Sequence, residues 1–450
     1  MQILSAAWLL PISAEPISNG AIAIEENKIV AVGTIKELAA KFPDHKTENF
    51  GEAVIMPGFV NTHSHLEITA MRGFLDDVEE DFYSWLIKLT ATRAEKLTEK
   101  DIATSAICGA LEGVRAGVTC FGDIGRFGKA GFEALKLTGL RGVVFQETEF
   151  SPKDSEAETD FAKLKDKFLT LKENESELVK VGISPHAPYT VSRRLFEKIT
   201  DYSLSENIKL IIHAAESKQE EDFFQTGKGF FADVYQKLNL EWNAPLVSSV
   251  QYLASIGVLR AKPLLAHCVK VSEKDIDLIA ASGSSVAHCP KSNAKFGHGF
   301  APLEKFLDKN VRVGFGSDSV ASNNTCDILE EARFATLFAR NSVDRKNFLS
   351  AGEIIETATL GGARALGLEY EIGTLEIGKQ ADLIVVSLDN IAQMPIHNVY
   401  SALLFASNAR DVEMTMVAGK EIYRDGITEK IGEDQLKRQL RAIKKKMRND

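Results

Sequence analysis

Several common protein classes are excluded by what the sequence lacks. The chain has five cysteines: Cys108, Cys120, Cys268, Cys289 and Cys326. Their number is odd and no Cys-x-x-Cys pair occurs, so we expect neither a disulfide framework nor a thiolate zinc site, and the thiols suit a reducing cytoplasm. No apolar run approaches the roughly eighteen residues that a membrane helix requires.

A surplus of positive charge is also missing. The formal net charge of the 450 residues is −10, whereas phosphate-rich partners require a basic field. We therefore expect a small-molecule substrate, and neither a nucleic acid nor a membrane as the main partner. The 44% of hydrophobic residues is ordinary for a globular protein, and the length allows one large domain and a smaller one.

Eight βα units are predicted in the middle of the chain. Short β-branched apolar runs alternate there with stretches of helical spacing, such as residues 99–116. The runs are Val54–Asn61, Gly117–Phe121, Gly142–Phe145, Val179–Ser184, Lys209–Ile212, Pro263–Ala266, Ser284–Ala287 and Val311–Phe315. This pattern predicts an α/β fold, a (β/α)8 TIM barrel over residues 57–370, with its active site where the strands end. A doubly wound open sheet is the alternative, but no Gly-x-Gly-x-x-Gly or Walker sequence supports it.

Both ends of the chain carry short strand patterns. Met1–Leu10 is apolar and has no basic stretch, so we expect a first strand and not a signal peptide. Gly20–Gly33 is typical of a hairpin, with its turn at Asn27-Lys28. Further strands are predicted at residues 381–386, 412–417 and 421–423. We expect both ends to pair into one small discontinuous β-sandwich domain, residues 1–56 and 371–450.

The last twenty residues predict an amphipathic helix. Leu436, Leu440, Ile443 and Met447 repeat at helical spacing, with basic residues on the other positions. Such a helix most often docks on its own protein. A role in binding nucleic acid or membrane is the alternative, and the acidic remainder of the chain disfavours it.

Polar residues stand at the ends of four predicted strands. His63 and His65 close the first strand, and alternate residues of a strand share a face, so both imidazoles point to one place. His213, His267 and Asp318 end the fifth, sixth and eighth strands. Three of these imidazoles and the carboxylate, at one end of a barrel, suit a divalent transition metal such as Zn²⁺ or Fe²⁺, with room for a bound water. For His63 and His65 alone, hydrogen-bonded surface histidines are the alternative.

Glu216 follows the predicted ligand His213 by three residues. A hydrolytic metal site needs a group that transfers protons, and a carboxylate beside the ligand is suited to that role. A solvated loop acid is the alternative for Glu216, and we expect that simpler role for Glu220, Glu221 and Asp222.

Three other residues are candidates for contact with a ligand. His186 ends the fourth strand and is expected to face the pocket, whereas His288, at the end of the seventh, is expected to be either structural or substrate-facing. Trp85 is expected to stack on a planar ring or to pack in the core, and Phe82 to pack in the core. His298 ends no strand, and we assign it no function.

Five segments together resemble the amidohydrolase superfamily. They are Pro57–His65, His213–Glu216, Ala266–Cys268, Cys289–Asn293 and Gly316–Ser319. The resemblance covers essentially the whole chain, and Gly373–Leu383 is similar to that superfamily's return to its β domain. Within it, the mononuclear adenosine-type deaminases are most similar, and His186–Thr190 resembles their substrate-contact motif.

The resemblance implies a role for each strand-end residue. The metal ligands would be His63, His65, His213 and Asp318. His267 would lie near the hydrolytic water, Glu216 would protonate the purine ring, and Asp318 would pass the proton of the water to the departing ammonia.

One metal per chain is expected. In barrels of this kind, a carboxylated lysine at the end of the fourth strand can bridge two metals. The lysine of that strand, Lys180, stands at its beginning, so we expect a single Zn²⁺, with Fe²⁺ as the alternative.

Two segments resemble the aminodeoxyfutalosine deaminases of menaquinone synthesis more than the methylthioadenosine enzymes. They are His65–Glu67 with the following Phe82–Trp85, and His213–Glu221. We therefore expect 6-aminodeoxyfutalosine as the substrate, or otherwise methylthioadenosine or S-adenosylhomocysteine. The alternatives are a dechlorinase or amidase acting on another heterocycle, or a non-catalytic binding protein, which usually lacks part of the ligand set.

The connection after the first strand is expected to contact the 5′ group of the nucleoside. Its aromatic residues Phe74, Phe82, Tyr83 and Trp85 would cover an uncharged group. Its five acidic residues would repel a phosphate; they are Asp76, Asp77, Glu79, Glu80 and Asp81. A benzoate would need a cation, for which Arg72 or Arg93 is the candidate. A homodimer is a further possibility that the sequence leaves open.

Overall fold

The computed structural model describes residues 1–341, 348–428 and 431–448. The strands are β1 (Gln2–Leu9), β2 (Ile17–Glu25), β3 (Lys28–Thr34), β4 (Thr47–Asn49), β5 (Ala53–Pro57), β6 (Phe59–Ser64), β7 (Val118–Gly125), β8 (Arg141–Glu147), β9 (Val179–Ser184), β10 (Ile211–Ala214), β11 (Leu264–His267), β12 (Ser285–His288), β13 (Arg312–Phe315), β14 (Leu383–Ser387), β15 (Val412–Val417) and β16 (Lys420–Arg424).

Helices separate most of the central strands. They are α1 (Ile35–Lys41), α2 (Phe82–Lys96), α3 (Glu99–Arg115), α4 (Gly128–Thr138), α5 (Ala157–Lys172), α6 (Arg193–Glu206), α7 (Lys218–Thr226), α8 (Phe230–Lys237), α9 (Ser249–Ser255), α10 (Glu273–Ser282), α11 (Pro290–Lys295), α12 (Leu303–Asp308), α13 (Val320–Asn323), α14 (Ile328–Arg340), α15 (Ala351–Glu356), α16 (Gly362–Leu366), α17 (Val399–Ser401) and α18 (Glu433–Arg448). No described helix has both the length and the apolar character needed to cross a membrane.

The central strands form two four-stranded parallel sheets, β6-β7-β8-β9 and β10-β11-β12-β13. Isolated parallel bridges join the two sheets at both junctions, between Ile183 and Leu210 and between Ser64 and Asp318. One buried cluster contains side chains from both sheets, among them Val143 and Ile211. The chain therefore has a TIM-barrel-like α/β fold, in which all eight strands end on the same side.

The two chain ends pair in one eight-stranded sheet of order β16-β15-β14-β5-β1-β2-β3, with β4 beside β1. The expected first strand and hairpin are confirmed, although the hairpin turn lies one residue earlier, at Glu26-Asn27. The buried residues Leu4 and Leu383, from opposite ends of the chain, belong to one core cluster. An ion pair between Arg141 of β8 and Asp382, 2.7 Å long and almost fully buried, links this sheet to the parallel strands.

The first predicted run, Val54–Asn61, is wrong as a single strand. It contains β5, which joins the sheet of the chain ends, and β6, which begins the parallel sheet. The break lies at Pro57-Gly58, because proline lacks a backbone donor and Gly58 packs where a Cβ atom would meet Thr119 at 2.1 Å. The change of direction carries the chain from one sheet to the other.

The C-terminal helix α18 docks on its own protein, as expected. Ile443 and Met447 of its apolar stripe are buried. The Nζ atom of Lys446 contacts Oδ2 of Asp101 at 2.6 Å, at the start of α3.

Candidate active site

Four histidines and an aspartate meet where the parallel strands end. His63 is buried in β6 and His65 follows that strand, whereas His213 lies in β10, His267 ends β11 and Asp318 follows β13. One ligand atom from each of His63, His213 and His267 lies within 4.8 Å of the others, and the same is true of His63, His65 and Asp318. The structure therefore brings together all five strand-end residues selected from the sequence.

Hydrogen bonds on the outer ring nitrogens orient two of the imidazoles. Nδ1 of His213 donates to the carbonyl of His186 at 3.0 Å, so Nε2 carries the lone pair, and it lies 3.2 Å from Nε2 of His65. Nδ1 of His267 donates to Oδ1 of Asn293 at 2.9 Å. Such a bond sets the tautomer and the direction of a metal-binding imidazole.

Asp318 is held by two hydroxyl groups. Ser292 and Ser322 donate to its Oδ2 at 2.6 and 2.9 Å, which leaves Oδ1 facing His63 at 3.4 Å and His65 at 3.7 Å. Burial by itself would raise the pKa of Asp318. The contact of its carboxylate with His63, together with the neighbouring imidazoles, outweighs burial and holds that pKa well below the usual value. Its φ of 55° lies in the left-handed region, which aspartate adopts more readily than most residues.

The donor set fits a divalent transition metal. Both ring nitrogens of His63 are buried without a hydrogen-bond partner among the described residues, an arrangement that is costly unless a ligand uses them. Burial lowers the pKa of His63 to about 4 and that of His65 to about 3. Both rings are therefore neutral at physiological pH and carry the lone pairs that zinc or iron requires.

Glu216 faces this cluster from the loop after β10. Its side chain is buried, and Oε1 lies 3.6 Å from Nε2 of His267 and 3.8 Å from Nε2 of His298. Burial raises the pKa of Glu216 to about 8. The carboxyl group therefore retains its proton near neutral pH and is available as an acid.

The expectation of a solvated Glu220 is wrong. Its side chain is fully buried, and its carboxylate accepts hydrogen bonds from the backbone amides of Ala215 at 2.8 Å and Glu216 at 2.9 Å. Glu220 thus fixes the main chain that carries Glu216. Glu221 and Asp222 are partly exposed and pair with Lys218, close to the expected role.

An aromatic wall borders the pocket. The rings of Phe82 and Trp85 from α2 are nearly parallel, with an angle of 8° and centroids 6.2 Å apart, and Phe296 meets Trp85 edge-on at 5.0 Å. Phe82 therefore lines the pocket and is not only a core residue. Tyr83, on the other side of α2, packs instead against Phe230 at 4.1 Å.

A polar wall made of two ion pairs borders the pocket through three of its members, Arg93, Arg126 and Glu147. Arg93 contacts Glu67 at 2.7 Å, and Nε of Arg126 contacts Oε2 of Glu147 at 3.3 Å. Glu67 follows β6, Arg126 follows β7 and Glu147 ends β8, whereas Arg93 reaches Glu67 from α2. Of the two arginines proposed for a benzoate, Arg93 lines this pocket. Its guanidinium is already paired.

Arg72 and Phe74 do not border the pocket. Both line a separate groove beside α3 and α18, where Arg72 pairs with Glu112. The acidic residues of the connection also lie elsewhere, since Asp76 pairs with Lys295. The lining residues of the pocket are His65, Ile68, Phe82, Trp85, Leu86, Leu89, Thr90, Arg93, Arg126, Glu147, His186, Tyr189, His213, Glu216, His267, Phe296, Asp318 and Ser319. None of the five acids of the connection is among these described residues, so the predicted repulsion of phosphate loses its structural basis.

Three further histidines have different positions. His186 lines the pocket, with Nδ1 2.8 Å from the hydroxyl of Thr190. His288 is buried near Phe315 and is not among the described lining residues, which favours its structural role. His298, to which the sequence assigned no function, is buried against Phe82, and its Nε2 faces Glu216 without a hydrogen-bond partner among the described residues.

Sequence reasoning missed His298, Glu67, Arg126 and Glu147. Glu147 ends β8, so the rule that active-site residues stand at strand ends could have identified it. His298 stands in an irregular segment after α11, and its sequence carries no comparable signal.

Comparison with known proteins identifies the family of the chain. The model of the amidohydrolase family matches residues 54–422, and a model of the imidazolonepropionase-like composite domain of bacteria matches residues 20–44. A 5-methylthioadenosine/S-adenosylhomocysteine deaminase of Thermodesulfovibrio yellowstonii is 32% identical over 441 residues, covering 96% of each chain.

Two solved structures have a similar fold. The zinc-bound structure of an adenosine deaminase from Xanthomonas campestris is 27% identical, with a TM-score of 0.86 over 99% of this chain and 98% of its own. The Helicobacter pylori aminofutalosine deaminase, in complex with methylthio-coformycin, is 24% identical, with a TM-score of 0.78 over 94% of this chain and 100% of its own. Since the family model spans most of the sequence, the chain belongs to the amidohydrolase family.

Proposed function

We propose that this protein is a metal-dependent hydrolytic deaminase of an adenosine-type nucleoside, which converts adenine to hypoxanthine and ammonia. One observation carries the proposal: Glu216, a buried carboxyl that retains its proton, faces the histidine and aspartate cluster inside an aromatic-walled pocket. Loss of ring aromaticity is the barrier to deamination, and a proton delivered to the ring lowers it.

We propose His63, His65, His213 and Asp318 as the ligands of one divalent ion. Zn²⁺ is favoured, since the Xanthomonas adenosine deaminase binds zinc, and Fe²⁺ is the alternative. When bound, such an ion supplies a Lewis acid that lowers the pKa of a coordinated water. Lys180 is exposed near the start of β9, away from the strand ends, which supports a single ion.

The protein residues would handle the protons and hold the substrate. Glu216 donates its proton to a ring nitrogen of adenine, and ionised Asp318 accepts a proton from water and returns it to the departing ammonia. His267, fixed by Asn293, is directed at the developing tetrahedral carbon. Trp85 stacks against the ligand, and His186, which also lines the pocket, contacts it.

The relatives shift the proposed substrate. The sequence motifs favoured 6-aminodeoxyfutalosine, and with it a place in menaquinone synthesis. The relative with 32% identity is a methylthioadenosine and S-adenosylhomocysteine deaminase, whereas likeness to the aminofutalosine enzyme concerns the fold alone. We therefore place methylthioadenosine and S-adenosylhomocysteine first and retain aminodeoxyfutalosine as the second candidate.

The architecture and setting are proposed with the function. Residues 57–370 would form a closed (β/α)8 barrel, and residues 1–56 and 371–450 a β-sandwich domain. The two bridges between the parallel sheets support closure. A cytoplasmic location and a homodimer remain proposals from the sequence.

A panel of adenine nucleosides tests the proposal. Methylthioadenosine, S-adenosylhomocysteine, aminodeoxyfutalosine, adenosine and AMP are compared in kcat/KM by loss of adenine absorbance and release of ammonia. We expect a 5′-substituted nucleoside to be the best substrate. Chloride or carboxylate release from another heterocycle, with no turnover of any adenine compound, would assign the chain to a different hydrolytic reaction.

A further inference from the structure

The polar wall contains a carboxylate oxygen that no described protein group uses. Glu147 is 4% exposed at the end of β8, and its Oε2 accepts from Nε of Arg126. Its Oε1 is buried without a hydrogen-bond partner among the described residues. Because a buried unpaired acceptor is costly, this atom marks a position that a ligand or a water fills.

A second free acceptor lies beside it. The hydroxyl of Thr190 donates to the carbonyl of Ala187 at 3.0 Å, so it accepts from His186, and Nδ1 of that ring carries the proton. The lone pair of His186 is therefore on Nε2. A ligand atom of His186 and a carboxylate oxygen of Glu147 lie within 4.8 Å of each other. The two side chains therefore present neighbouring acceptors, which match a molecule with two neighbouring donors.

A metal ion is the less suitable occupant. Glu147, His186 and His213 could form a three-ligand group, but the free Nε2 of His213 is already directed at His65. The charge of Glu147 is also balanced by Arg126, and the second pair, Arg93 with Glu67, is balanced as well. The polar wall has no net charge to attract a cation, whereas neutral hydroxyl groups can donate to both free acceptors.

We infer that Glu147 and His186 form a subsite for a vicinal diol, and that Glu147 is a specificity-determining residue for the sugar. This inference rests on the proposed function, in which the substrate is a nucleoside with a 2′,3′-diol. The aromatic wall takes the base, and Glu147 with His186 takes the sugar hydroxyls.

The test combines substrate and enzyme changes. The kcat/KM values of wild type and Glu147→Gln are measured with 5′-methylthioadenosine and its 2′-deoxy and 3′-deoxy counterparts, and with the matching adenosines. In wild type, loss of the contacted hydroxyl should lower kcat/KM about 10- to 100-fold, the range for a hydrogen bond to a charged group. Glu147→Gln should lose at least about tenfold on the diol substrate but less than about threefold on the deoxy substrate that lacks the same hydroxyl.

Glu149→Gln is the matched control. Glu149 is an exposed carboxylate 3.7 Å from the same Arg126, and it is not among the described lining residues of the pocket. Its variant should keep the wild-type ratio between diol and deoxy substrates. Metal content and melting temperature are measured for wild type, Glu147→Gln and Glu149→Gln. If Glu147→Gln is unstable, the preference of wild type for the diol substrate still tests the subsite.

Each contrary outcome has a separate meaning. Equal wild-type kcat/KM on diol and deoxy substrates, or an equal loss of Glu147→Gln on both, would overturn the diol subsite while the deaminase assignment stands. Two ions per wild-type chain and one in Glu147→Gln would make Glu147 a metal ligand and also overturn it. Absence of wild-type turnover on every adenine nucleoside would overturn the proposed function and this inference together.

Discussion

Replacement of Glu216 by glutamine removes the acidic proton while folding and metal binding should be kept. Glutamine is nearly isosteric but has no acidic proton. The backbone of residue 216 is held by Glu220 at 2.9 Å, not by its own side chain, so the loop should keep its position. We therefore expect Glu216→Gln to fold and to bind metal as wild type does.

The expected cost lies in kcat. Proton delivery by a positioned group contributes about two to four powers of ten, and the pKa of about 8 for Glu216 is close to the working pH, where such a group is most effective. We expect a loss of at least about a thousandfold, equivalent to about 4 kcal/mol of transition-state stabilisation. Glu221→Gln, on the exposed part of the same segment, should change kcat less than about twofold.

The pH profile gives an independent readout. Protonated Glu216 is the active form, so kcat/KM should fall as pH rises through its pKa. A cation at the histidine cluster favours the ionised carboxylate, so we expect this basic limb at or below about pH 8. The limb should be absent from the residual activity of Glu216→Gln. Near wild-type turnover of that variant with its metal in place would refute the assignment of Glu216 as the acid.

Three other predictions follow from the same contacts. Elemental analysis of protein purified without added metal should find one transition ion per chain; two ions, or full activity in a chelator, would contradict the single-ion scheme. The double variant Ser292→Ala/Ser322→Ala should bind the metal about 10- to 100-fold more weakly, as measured by equilibrium dialysis, because Oδ2 of Asp318 loses both of its hydroxyl donors. In urea unfolding, Asp382→Ala should cost about 3 to 5 kcal/mol because it removes the buried partner of Arg141 and leaves that buried arginine only the half-exposed Glu371, whereas Glu371→Ala should cost less than about 1 kcal/mol. Equal losses would show that burial of the pair has little effect on stability.

Much of the parallel core was readable from local pattern. Strand-like runs alternating with helical spacing predicted eight βα units, and each run overlaps an observed strand. The period of two along a strand placed His63 and His65 together, and the shared direction of parallel strands predicted that His213, His267 and Asp318 would join them. These relations depend on the order of residues within each strand, so the sequence by itself determined the composition of the cluster.

Other features depend on contacts between distant segments. The break between β5 and β6 reflects packing against Thr119, and the buried state of Glu220 reflects the amides of Ala215 and Glu216, which only a tight loop places within its reach. His298 reaches Glu216 from an irregular segment without periodic spacing. Such contacts arise when packed elements approach one another in three dimensions, and no local spacing encodes them. For that reason the tertiary structure alone decided which acids are buried and paired and which face the pocket.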